Sequence, residues 1–69
     1  MPLIKTIEVA TSSAVSIEDA IQQAVSEVGR TVRNIDEVVV RKLKASVKDG
    51  KVASFDIECN ISFRVDSRD

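Results

Sequence analysis

Chemistry in a protein chain needs nucleophiles, bases, metal ligands or charges gathered at one place. Cys59 is the only cysteine of this chain, and there is no histidine. A thiol with no imidazole to take its proton is a poor nucleophile, and a buried one behaves as a small hydrophobe, so Cys59 is expected to be core. The same two counts exclude a structural zinc site. More charge gathers in NIDEVVVRKLKASV, residues 34–47, where the acidic pair Asp36 and Glu37 precedes Val38 to Val40 and the basic run Arg41, Lys42 and Lys44. Arg41 and Lys42 suit a phosphate, for instance that of a nucleotide or coenzyme in a groove between subunits. The alternative is a charged edge strand, whose lysines discourage stray strand pairing. The chain lacks a glycine-rich phosphate loop and a basic patch interleaved with aromatics, and its net charge is −1. Neither an enzyme nor a nucleic-acid binder is expected from that pattern.

The elements that must position these residues follow from periodicity. Residues 3–9, LIKTIEV, alternate with Leu3, Lys5, Ile7 and Val9 on one face, which predicts a strand, and ATSSA after it reads as a loop. Ser16 stands three residues before Asp19, a start resembling a capping box, with Glu18 and Asp19 where a helix N-terminus favours anions. From there Ile17, Ala20, Ile21, Ala24, Val25 and Val28 recur in steps of three and four, one apolar helical stripe. Gly29 marks either a close contact or the beginning of the helix end. The charged stretch supplies a second strand over about Ile35 to Lys48, and KDGK, residues 48–51, is a hairpin turn. Phe55, Ile57, Cys59, Ile61, Phe63 and Val65 then alternate with polar residues in a third strand, and DSRD closes the chain as a polar tail. Phe55 and Phe63 are expected in the core.

This order is β-α-β-β, an α+β fold. The last two strands are antiparallel neighbours because a tight turn joins them, whereas the helix returns the chain so that the first two run the same way. Placing the third strand in the centre, order 1-3-2, makes the three-stranded sheet wholly antiparallel. One sheet face then packs on the single helix, and the polar face is left for solvent or another subunit. The 69 residues form one expected domain, 1–69, whose core supplies only roughly 3–5 kcal/mol. With no disulfide or zinc to add to it, a homo-oligomer is expected. No transmembrane run or secretion signal is visible, so no membrane partner and a cytoplasmic location are expected, and NIS at residues 60–62 is a chance glycosylation match.

Along nearly its whole length the chain resembles the dodecins. The likeness rests on the β-α-β-β order at this length, TSSAVSIEDAIQQAV after the first strand, the hairpin turning at KDGKV, and the closing IECNISFRV. Dodecins are small bacterial and archaeal proteins that form hollow spheres of twelve subunits and store or quench flavins such as FMN or riboflavin without catalysis. The resemblance thus implies a dodecamer with a small-molecule ligand. It also implies a tryptophan near the start of the second strand, stacked on the flavin ring, and a glutamine on the third strand bonded to the flavin's polar edge. Glu37 and Asp56 stand at those positions here, with Val38 beside the first of them. A carboxylate offers no flat aromatic surface, and ionised Asp56 accepts hydrogen bonds but cannot donate them. The chain has no tryptophan or tyrosine, so the usual flavin contacts are missing. Two readings of Glu37 and Asp56 stand. They are ligands for a metal such as Ca²⁺ at a subunit boundary, or they are solvated or paired with Arg41 or Lys42 of a neighbour.

Overall fold

The computed structural model describes residues 3–65, so the DSRD tail lies outside the described residues. Strand β1 (Leu3–Ser13) leads into helix α1 (Ile17–Val28), followed by strands β2 (Ile35–Lys48) and β3 (Lys51–Val65). The strands form one sheet in the order β1-β3-β2, and both pairings are antiparallel. Fold class and strand order are those expected.

The first strand is longer than its alternation announced. It runs through Ala10, Thr11 and Ser12 to Ser13, which pairs with Phe55. Apart from Thr11 these residues have little strand preference of their own, but β3 offers an open ladder that far, and pairing decides the conformation. Ser13 is buried, and its hydroxyl is fully used. It accepts from the Val15 and Ser16 N–H groups and donates to Asp19 Oδ2 at 2.6 Å.

The helix begins as its sequence implies. Ser16 has extended backbone angles, and its Oγ accepts the Asp19 N–H at 2.9 Å. The box is not reciprocal, however, because the Asp19 carboxylate takes Ser13 and Gln23 instead. Replacing Ser16 by Ala orphans one N–H of the first turn and is expected to cost about 1 kcal/mol, read as a lower midpoint in urea. At the other end Gly29 is both things foreseen. It caps the helix, donating to Val25 O at 2.8 Å, and an added Cβ would lie 2.9 Å from that same oxygen.

Ala20 and Ala24 are fully buried and let α1 approach the sheet closely, over Ile57, Cys59 and Ile61. Ile7, Val9, Ile17, Ile21, Val28, Ile35 and Val38 pack around this centre. Cys59 is therefore core, as expected. Phe55 and Phe63 are not: both are only half-buried and lie outside the buried cluster, at the two ends of the region that the short helix covers.

Two bulges in β2 explain how a strand with three consecutive valines keeps its faces in order. Register slips at Asp36 and again at Arg41, each of which is an extra residue against β3. Ile35, Val38, Val40 and Leu43 thereby all fall opposite the inward residues Phe63, Ile61, Cys59 and Ile57. A bulge inserts one residue and so corrects a broken alternation.

Beyond Ser13 the sheet has lost β1, and the β2–β3 hairpin continues alone to a turn at Asp49 and Gly50. Both turn residues have positive φ, 53° and 76°, as a primed hairpin turn requires. The chain is consequently long and thin, 57 × 19 × 12 Å, with a radius of gyration of 14.4 Å. A compact chain of this length has a radius of roughly 11 Å. On the helix side, Val47 and Val52 of the outer hairpin are 65% and 54% exposed, and Leu43, just inside it opposite Ile57, is 51% exposed.

Candidate functional site

The polar face of the sheet, opposite α1, carries most of the charge. Across it β1 contributes Thr6, Glu8, Ala10 and Ser12, β3 contributes Ser54, Asp56, Glu58, Asn60 and Ser62, and β2 contributes Glu37, Val39, Lys42, Lys44 and Ser46. Ala10 is the smallest of these side chains, and two shallow concavities open around it. One of about 500 Å³ is bordered by Glu8, Glu58 and Asn60 on one side and by Arg41 and Lys42 on the other. The second, about 310 Å³, includes Ser12, Lys42, Lys44, Asp56 and Glu58.

Glu37 lies opposite Ser62, whose hydroxyl is 3.0 Å from that of Thr6. The Glu37 side chain is exposed over short neighbours. Asp56 lies six residues away along β3, a separation of about 20 Å at the usual strand rise. Within one subunit the two carboxylates therefore do not meet, and among the described residues no three acidic, cysteine or histidine side chains cluster as metal ligands would. Val38 turns to the other face and packs against the core, so it does not share a surface with Glu37 or Asp56. Arg41 and Lys42 do come together, at the bulge, on the border of the larger concavity. The ion pairs among the described residues lie elsewhere, Arg64 with Asp36 at 3.5 Å and Arg30 with Glu27 at 3.2 Å.

What the alternation did not disclose is a set of hydroxyls around Asp56. Ser12 Oγ donates to Asp56 Oδ1 at 2.5 Å, Ser46 Oγ to Oδ2 at 2.9 Å, and Ser54 Oγ to Oδ1 at 3.2 Å. Ser54 and Asp56 are two apart in one strand and so share a face, which was a readable signal. Ser12 was unreadable as a partner because its segment passed for a loop. The bonds from Ser12 and Ser46 hold the Asp56 carboxyl below its ordinary range, with smaller contributions from Ser54 and then Lys44. Ser13 and Gln23 do the same for Asp19. Desolvation pushes the Cys59 thiol upward, so it stays protonated and unreactive at neutral pH.

The two lowered carboxyls set a pH dependence. Each binds a proton less readily in the folded chain than in the unfolded one, so its contribution is complete above the ordinary value of 3.8 and is lost as pH falls through the lower folded value. The urea midpoint is expected to drop on acidification through this range, and Asp19→Asn or Asp56→Asn should flatten the drop. An unchanged slope in both variants would show that other groups control acid unfolding.

Comparison with known proteins agrees with this architecture. A point mutant of the Thermus thermophilus dodecin superposes with a TM-score of 0.90 at 22% identity, covering 97% of this chain and 100% of that one. The dodecin of Streptomyces coelicolor gives 0.87 at 24% identity, covering 97% and 96%. A calcium-chelating immunodominant antigen of Mycobacterium tuberculosis, calcium dodecin, gives 0.78 at 25% identity, again covering 97% and 96%, and is described as having a novel calcium-binding site. No curated protein matches. At these identities the superpositions speak for the fold. The sequence itself matches the family model for dodecin over residues 3–66, nearly its whole length, and the chain belongs to the dodecin family.

Proposed function

We propose that this protein is a non-enzymatic, homo-oligomeric shell, a dodecamer of single-domain subunits spanning 1–69, that binds or stores a small molecule in the cytoplasm. The observation that carries the reading is the bare apolar side of the outer hairpin. Val47 and Val52 extend the core face beyond the last residue of β1, with Leu43 just inside that limit opposite Ile57, and all three are more than half exposed. An apolar sheet face beside a small core is the surface that a second subunit stabilises by burial. Membership of the dodecin family supports the same assembly. No described helix is long and apolar enough to cross a membrane.

The ligand would meet the polar face. Glu37 and Asp56 stand where the family resemblance expects the stacking and edge-binding residues, so the expected ligand is one held without aromatic stacking. Arg41 and Lys42, side by side on the larger concavity, suit an anionic group such as a phosphate. FMN or riboflavin would bind weakly here. Native mass spectrometry of protein purified from its own host reports subunit count and bound molecule together. Twelve subunits carrying a small molecule is the expected result, and a monomer at micromolar concentration overturns the reading.

An ion-binding shell is the second reading, favoured by the calcium dodecin among the structural relatives. It requires carboxylates such as Glu37 or Asp56 from several subunits to converge, and Asp56 already accepts three hydroxyls. If Ca²⁺ is structural, chelation lowers the melting temperature. An unchanged melting curve and assembly size in a chelator would end this reading.

A further inference from the structure

The three hydroxyls around Asp56 sit at a particular place in the fold. Ser12 is the next-to-last residue of β1 and pairs directly with Asp56. Ser46 and Ser54 pair with each other across β2 and β3, at the first step beyond the end of β1. Immediately outside them the register shifts between Ser46 and Val47. Asp56 therefore stands where three strands become two, and its carboxylate holds one group from its own three-stranded row, next to the last, and two from the first two-stranded row. A two-stranded ribbon is marginally stable alone and twists freely, so whatever is bonded at its base governs where it points.

We propose that Asp56 with Ser12, Ser46 and Ser54 is a clasp that fixes the projecting hairpin to β1 and sets the direction in which the hairpin reaches a neighbouring subunit. The first half rests on this geometry alone; the second rests also on the shell reading above. A carboxylate has about four lone-pair positions, and three are taken here. The charged groups facing it are Lys42 and Lys44 from β2 and Glu58 from β3, with none from the adjoining part of β1. The ammonium groups complement the carboxylate without replacing any of the three hydroxyls.

Hydrogen–deuterium exchange separates this role from general stability. In Asp56→Ala the amides of residues 45–54 are expected to exchange roughly tenfold faster, while those of α1 stay unchanged. Asp56→Asn keeps one carbonyl acceptor and should fall between. Ser12→Ala and Ser46→Ala remove a single donor each, should speed hairpin exchange by a few fold, and carry the test if Asp56→Ala does not fold. Hairpin exchange within twofold of wild type in all folded variants overturns the clasp. Light scattering then addresses its consequence. A wild-type monomer would end the shell reading while leaving exchange to decide the clasp. A loosened hairpin in a shell of unchanged size and melting point would overturn its role in assembly.

Discussion

Replacing Ile61 by Ala is expected to unfold the isolated subunit. Ile61 is fully buried on the central strand β3, between Ile7 of β1 and Val38 of β2 and beneath α1. Truncating a buried isoleucine costs about 2–5 kcal/mol, the lost transfer energy plus a cavity term. A core of this size supplies roughly 3–5 kcal/mol in total, so the loss is comparable with everything the subunit has. The cavity cannot collapse easily, because Ala20 and Ala24 already bring the helix as close as side chains allow. Ile61→Val keeps most of the volume and should cost only about 0.5–1.5 kcal/mol. Far-UV circular dichroism with urea titration, repeated over a range of protein concentrations, separates subunit stability from mass-action stabilisation by assembly. A folded Ile61→Ala protein with a urea midpoint near wild type, even at the lowest concentration, would show that this cluster is not the centre of the fold.

Ile61 also illustrates what was legible in the sequence. The period-two pattern of β3 is unbroken from Phe55 to Val65, and the period of α1 is equally regular, so the helix, the central strand and the face joining them could be read directly. Strand order followed from chain geometry rather than from any residue. The boundary of β1 could not be read, because Ala10 to Ser13 adopt a strand only through pairing with β3. That error concealed Ser12, and with it the environment of Asp56. The β2 faces were obscured for another reason: two bulges, at Asp36 and Arg41, break an alternation that only the partner strand restores. Val38 lies in the core and its neighbour Glu37 on the polar face by plain alternation, since no bulge falls between them. Phe55 and Phe63 have the right parity for the core, but α1 spans only twelve residues and leaves both ends of the strand partly open. Parity gives the face of the sheet a residue lies on, not whether anything covers that face.

Glu37 carries the second large expectation, in which a flat aromatic surface is placed on the polar face. Its side chain is exposed beside Ser62 and Thr6, both short, so an indole at this position has room to lie over the sheet. The bulge at Asp36 fixes the local register, and the polar face tolerates the substitution because no core contact is touched. A tryptophan brings a flat apolar surface, and stacking of an aromatic ring on a heterocyclic base is worth about 1–3 kcal/mol. Glu37→Trp is therefore expected to raise affinity for FMN or riboflavin roughly 5- to 150-fold, seen as quenching of flavin fluorescence on titration. Removing a carboxylate also relieves repulsion of the FMN phosphate, so Glu37→Ala is the necessary comparison. It removes the charge and adds no ring, and should improve FMN binding slightly and riboflavin binding not at all. If the tryptophan variant binds riboflavin no better than the alanine variant, position 37 does not face the ligand. If wild type already quenches flavin tightly, recognition does not depend on stacking at this position, and the residues around Ala10 become the place to look for it.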